Sequence, residues 1–272
     1  LAIWFLLDDE RPVTVHPIKP VMQATRSANA NVARPRTDRW VRRAGVPRVA
    51  AVGHVLLLDI GGVVLRSGHE MMTLLGRRRP ELAGETDRRG RLGPVPDPRW
   101  EMALAGTLSE RGYWAERAAE LGRLTGGGTD TPALMSLLYD EDAAGVDAFV
   151  RPEARALMQD AAAGGRTVAA LTNDLAAFHE DADLTRHPLF SFFDPLVDGS
   201  LTGVLKPDPG AYALALSALG DPDPADVVFL DDMPGNVAGA RAAGLTTVWV
   251  DLEDPGAAFA EARALLSLAA AA

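Results

Sequence analysis

Six polar residues stand at or between the ends of apolar runs, in an order that suits phosphoryl chemistry. Asp59 follows Val55-Leu56-Leu57-Leu58, Thr172-Asn173 close the run that begins at Thr167, and Asp231-Asp232 follow Val227-Val228-Phe229-Leu230. Lys206, in the turn Lys206-Pro207-Asp208-Pro209, falls between the second and third of these. A carboxylate cluster can hold Mg²⁺, which takes oxygen ligands. A lysine with hydroxyl and amide donors can hold a phosphoryl group. One aspartate at a strand end is common and says little. The ordered set of aspartate, hydroxyl, lysine and paired acids is far more specific.

The elements that must position these residues follow from the same runs. Each is short and continuously apolar, the pattern of a strand buried on both faces. A fourth run, Thr246–Val250, leads to Asp251, and Phe192–Val197 reads as a further short strand. Helical patterns separate them: Glu153–Ala163 after Pro152, Pro209–Leu219 before Gly220, and Pro234–Ala243 before Gly244. This alternation predicts an α/β fold, a Rossmann-like parallel sheet built from right-handed crossovers. The strand C-termini of such a sheet open on a crevice where ligands bind.

About a hundred residues between the first and second strands carry no convincing strand. Trp100–Leu108, Ser109–Leu121 (capped by Ser109 and closed at Gly122) and Pro132–Leu138 read as helices, and Thr125–Thr131 as a glycine-rich loop. The expected organisation is an α/β core at residues 53–68 and 150–272, with a helical cap inserted at 69–149. Arg77–Gly93, rich in Arg and Gly, is expected to be mobile. Residues 11–50 show neither a helical nor a strand period, and residues 1–52 read as a basic, flexible N-terminal arm.

Composition narrows the classes. The 272 residues are 47% apolar and 24% charged, ordinary globular usage. Cysteine is absent, which excludes disulfides, thiolate metal sites and cysteine nucleophiles. No apolar run reaches the ~20 residues that span a bilayer. Net charge is −10, which disfavours nucleic acid and anionic membrane as partners. Residues 1–52 depart from this balance, with nine Lys/Arg and four Asp/Glu. Three readings stay open for them: a solvated tail or sequence upstream of the true start, a basic arm for an acidic partner, or a cleaved transit-like segment. A cytoplasmic location is the default expectation.

Four segments carry a family resemblance: Leu58-Asp59-Ile60-Gly61-Gly62-Val63-Val64, Ala170-Leu171-Thr172-Asn173-Asp174, Gly203-Val204-Leu205-Lys206-Pro207-Asp208-Pro209 and Phe229-Leu230-Asp231-Asp232-Met233-Pro234-Gly235-Asn236. With this order and spacing, residues 53–262 resemble the haloacid dehalogenase (HAD) superfamily of hydrolases. They are most similar to its capped small-metabolite phosphatases, such as glucose-1-phosphatase-like enzymes and the phosphatase domain of soluble epoxide hydrolase. The resemblance implies that Asp59 is a nucleophile forming an aspartyl-phosphate. It implies that Thr172 and Asn173 grip phosphoryl oxygens, that Lys206 neutralises charge, and that Asp231 orients Lys206 or a metal-bound water. Mg²⁺ would be held by Asp59, Asp232 and the Gly61 carbonyl. Gly62 and Asn236 would lie near the substrate, a small phosphorylated metabolite. No oligomeric state is implied.

One position departs from the pattern. The superfamily usually has a second aspartate two residues after the nucleophile, which protonates the leaving oxygen and then activates water. Gly61 stands there. Loss of a positioned general acid–base is worth roughly 10²–10⁴ in rate. Three consequences remain open: a preference for easily departing leaving groups, a proton from another residue such as His69, or loss of catalysis. A 2-haloacid dehalogenase, which needs Asp59 but no metal, and a catalytically silent binding or regulatory protein are the alternative functions. His69 reads as a solvated or capping residue. Trp100, Tyr113 and Trp114 read as cap core, and Asp174 as a strand-exit acid.

Overall fold

The computed structural model of the chain describes residues 55–86, 96–139, 146–179 and 187–268. The arm at 1–52 and part of Arg77–Gly93 lie outside these. Five strands form one parallel sheet: β1 (Val55–Leu58), β2 (Thr167–Thr172), β3 (Leu196–Asp198), β4 (Val227–Asp231) and β5 (Thr246–Trp249), in the order β3-β2-β1-β4-β5. The chain leaves β1 toward β2 on one side and later returns to β4 on the other. That reversal at β1 opens the crevice at the strand C-termini. The register is continuous across it, Leu58 pairing with Ala170 of β2 and Leu230 of β4.

The strands lack polar alternation because helices cover both faces. Leu56 and Leu58 pack with α5 (Pro152–Ala163) and α8 (Pro255–Leu265) through Leu157, Met158 and Phe259. Val55 and Leu57 face α6 (Pro209–Ala218) and α7 (Pro234–Ala242) through Tyr212, Ala215 and Ala240. The third strand is shorter and later than the Phe192–Val197 run predicts. A 3₁₀ turn takes Pro188–Phe192, and pairing begins at Leu196.

Between β1 and β2 the chain builds a helical insertion from α1 (Gly68–Arg78), α2 (Pro98–Leu104), α3 (Glu110–Thr125) and α4 (Thr131–Leu138), with a short helix at Ala83–Thr86. It has its own apolar cluster, including Met71, Leu75, Trp100, Trp114 and Leu134. Ser67 starts α1 with a capping box: its hydroxyl accepts from Glu70 N, while the Glu70 carboxylate accepts from Ser67 N. Helix α3 runs past the expected stop at Gly122 to a left-handed cap at Gly126 (φ 69°). Gly122 instead lets the loop pack close, since a Cβ there would fall 2.3 Å from the Gly128 carbonyl oxygen. The entry and exit of the insertion lie side by side. Leu65 and Val150 form an antiparallel bridge, flanked by Arg66 N to Phe149 O at 2.8 Å and Arg151 N to Val64 O at 2.9 Å. No helix among the described residues is long and apolar enough to cross a membrane.

Candidate active site

The buried run of β1 ends at Asp59, whose backbone N still bonds Leu230 O at 3.0 Å and so stays in register with β4. Its side chain turns back, Oδ1 accepting from Ile60 N at 2.7 Å. Lys206 Nζ lies 3.0 Å from the same oxygen and 2.7 Å from Asp231 Oδ2, and it donates to Leu171 O at 2.8 Å. The ammonium thus joins the ends of β1, β2 and β4. Burial works against its charge, but Asp231 and Asp59 outweigh burial and hold its pKa above the usual lysine value. Burial likewise lifts Asp59 to about 7, against the pull of Lys206.

Asn173 and Lys206 are fastened reciprocally. Lys206 N donates to Asn173 Oδ1 at 2.7 Å, and Asn173 Nδ2 donates to Lys206 O at 3.0 Å. The Asn173 side chain therefore positions the lysine turn. Asn236 is buried below the mouth where it was expected, its Nδ2 donating to both oxygens of Asp231 at 3.1 and 3.2 Å. Asp231 Oδ1 also accepts from Met233 N at 2.8 Å. With Lys206 as well, Asp231 is enclosed by donors.

Asp59, Asp231 and Asp232 each offer a carboxylate oxygen within 4.8 Å of the others. Among the described residues no donor meets the Asp232 carboxylate. Burial first, then the charges of Asp231, Asp59 and Glu110, push it well above the usual carboxylate range. Asp59 and Asp232 thus present oxygen ligands with excess negative charge between them, which fits a hard divalent cation. The donor set accommodates Mg²⁺.

The two glycines differ. Gly61 is extended (φ −68°, ψ 134°) and exposed, with no atom within 4 Å of where a Cβ would stand. Gly62 has φ +76°, and a Cβ there would meet Asp232 Oδ2 at 2.3 Å. Gly62 is the turn residue that must lack a side chain. Arg151 Nε secures its carbonyl at 3.0 Å, a contact for which the sequence offers only an arginine before a helix-starting proline.

Asp59, Gly61, Gly62, Thr172, Asn173, Asp232 and Asn236 line one pocket, and Lys206 and Asp231 sit buried behind it. The opposite wall comes from the insertion: Trp100, Trp114, His69, Glu110, Met135 and Tyr139. His69 is neither solvated nor a cap. It is 3% exposed, its ring 4.2 Å from that of Trp100 and 5.1 Å from that of Trp114, and burial lowers its pKa to about 3. Trp100 and Trp114 belong to the insertion core as expected and also face the pocket. Asp174 is more than a strand-exit acid, since it pairs with Arg111 of α3 at the rim. Glu110 escaped sequence reasoning, because a glutamate after an N-cap serine looks like ordinary dipole complementation.

A family model described as haloacid dehalogenase-like hydrolase matches residues 54–244. A phosphoserine phosphatase of Thermus thermophilus is 37% identical over 115 residues, covering 39% of this chain and 44% of that protein. A phosphatase of Mycobacterium tuberculosis is 33% identical over 100 residues, covering 37% and 46%. The match thus spans less than half the length of either relative. A HAD-hydrolase of Bacillus subtilis, solved with magnesium, superposes with a TM-score of 0.52 at 16% identity, covering 73% of this chain and 86% of that one. At that identity the likeness is one of fold.

Proposed function

Because the chain belongs to the haloacid dehalogenase-like hydrolases, an enzyme family whose model spans most of it, we propose that it is a Mg²⁺-dependent phosphomonoesterase. Its substrate is a small phosphorylated metabolite, and the helical insertion at 69–149 serves as its cap. The observation that carries this reading is the crowding of three carboxylates around one buried lysine. A metal-free site gains nothing from that charge, whereas a bound cation balances it before a phosphate dianion enters.

Two donors fasten Asp59 Oδ1, which leaves Oδ2 to attack phosphorus. Asp59, Asp232 and the Gly61 carbonyl would hold Mg²⁺, which when bound screens the repulsion between carboxylate and phosphate. Lys206 holds positive charge beside Asp59 as the acyl phosphate forms. Thr172 and the main chain of Asn173 bind phosphoryl oxygens, while the Asn173 side chain keeps the lysine turn in place. Asp231, held by Asn236, orients Lys206.

Gly61, which brings no carboxyl where a phosphatase would have its acid, favours a second reading as a 2-haloacid dehalogenase. One assay separates the two. Mg²⁺-dependent release of nitrophenolate from p-nitrophenyl phosphate, stopped by EDTA, supports the phosphatase. Metal-independent chloride release from 2-chloropropionate supports the dehalogenase. Neither activity would leave a silent binding protein.

A further inference from the structure

We propose that Glu110, the first residue of α3 in the helical insertion, is the proton carrier of this site, donating to the leaving oxygen and then taking a proton from water. The inference rests on the phosphomonoesterase reading and supplies the group that Gly61 lacks.

Its first support is direction. Nucleophile and leaving oxygen lie roughly in line across phosphorus. Asp59 attacks from the sheet side of the pocket, so the leaving oxygen lies on the insertion side. Among the described residues lining that side, the titratable groups are His69, Tyr139, Glu110 and, packed on Tyr139, His179, which burial holds neutral at a pKa of about 4. His69 is held neutral by burial, at a pKa of about 3. The Tyr139 hydroxyl donates to Arg66 O at 2.7 Å, and burial moves its pKa upward. Glu110 remains.

Its second support is how the carboxyl is held. Ser109 caps α3, its Oγ accepting from Gly112 N at 3.0 Å, which fixes Glu110 in the first helical turn. Trp114 Nε1 donates to Glu110 Oε1 at 3.4 Å. Arg111, the next residue, pairs with Asp174 of the sheet side and ties this turn to the pocket rim. Burial and then Asp174 and Asp231 raise the Glu110 pKa to about 7, against Trp114 and Lys206. A carboxyl near 7 is matched to general acid–base work at neutral pH.

The steps balance. Asp59 Oδ2 forms a bond to phosphorus as the ester P–O bond breaks. Its electron pair goes to the leaving oxygen, which takes the Glu110 proton. Water then attacks the aspartyl-phosphate, the Asp59 O–P bond breaks, and the water proton returns to the Glu110 carboxylate. Inorganic phosphate leaves, and both residues regain their starting states.

The test is Glu110→Gln on the full chain with Mg²⁺, comparing kcat/KM for glycerol phosphate and p-nitrophenyl phosphate. An alkoxide needs the proton and nitrophenolate does not. Glycerol phosphate is expected to fall ~10²–10⁴-fold and p-nitrophenyl phosphate less than about tenfold, with a burst of nitrophenolate as the intermediate accumulates. Adding Gly61→Asp to this variant is expected to restore glycerol phosphate turnover. An unchanged ratio between the two substrates, whether both fall equally or neither falls, overturns the role of Glu110. Wild-type protein inactive on every phosphomonoester overturns the phosphomonoesterase reading itself, and this inference with it.

Discussion

The carboxylate of Asp232 rests against the bare α-carbon of Gly62, so close that a single methyl there would fall 2.3 Å from Oδ2 and 2.4 Å from Cγ. Gly62 also has φ +76°. Gly62→Ala is therefore expected to displace Asp232 from the carboxylate cluster and to strain the loop. Activity should fall at least about a hundredfold, since ~3 kcal/mol of lost transition-state stabilisation corresponds to that. Stability should fall by ~1–3 kcal/mol. Phosphatase kinetics and urea denaturation check both.

Gly61, one residue earlier, behaves oppositely. A positive φ would have barred a side chain, but that conformation belongs to Gly62, and Gly61 faces open space. Gly61→Asp is expected to melt within about 0.5 kcal/mol of wild type, as an unhindered surface change does. With Glu110 supplying the proton, its rate gain should be small in the wild-type background and should emerge for esters of poorly acidic alcohols when Glu110→Gln is also present, measured over a leaving-group series.

Lys206 neutralises two carboxylates from a side chain with no exposure. Removing one partner of a buried ion pair leaves the other uncompensated, at about 3–5 kcal/mol. Lys206→Met should show a loss of this size in denaturant and no turnover. Asp59→Asn, which keeps the shape and removes one negative charge, should be equally inactive yet fold normally. The two variants separate charge balance from chemistry.

Asp232 lies on the other side of that balance. Its pKa is raised by burial and by its acidic neighbours, so in metal-free protein its ionisation works against folding, increasingly as pH rises. Asp232→Ala is expected to be inactive and, in EDTA, more stable than wild type by ~0.5–2 kcal/mol. With Mg²⁺ the order should narrow or reverse, because cation binding stabilises only wild type. Thermal melts with and without Mg²⁺ give the answer.

His69 makes stability pH-dependent. Its pKa is about 3 when folded, against the ordinary 6.5. The unfolded chain binds the proton more readily, so the contribution of neutral His69 is fully present above pH 6.5 and drains away as pH falls toward 3. Between pH 7 and pH 5 one such histidine removes about 2 kcal/mol. His69→Phe should lose less stability than wild type over that interval by this amount, measured by denaturant titration at both pH values.

Much of the core was legible because buried parallel strands are written as unbroken apolar runs ending in polar residues. Asp59, Thr172 and Asp231 could be placed at strand ends from that alone, with Lys206 in a turn between the last two. What resisted reading was three-dimensional proximity. Asn236 looks like a mouth residue until Asp231 is seen taking both contacts from its amide. His69 reads from the sequence as solvated or capping, yet Trp100 and Trp114 close over it. Glu110 carries no local mark, since its place in the pocket depends on how α3 packs against residues distant in sequence.

The paired neck at Leu65 and Val150 has a consequence for inheritance. Because the chain leaves and rejoins the sheet at adjacent, hydrogen-bonded residues, the whole helical insertion can be exchanged by two crossovers, one at each side of this neck, and the strand-end residues stay in register. The nucleophile travels with the sheet and Glu110 with the exchanged piece. A chain that acquired a new insertion to accept a new alcohol would lose its proton carrier in the same event, unless the open position at Gly61 were filled at once.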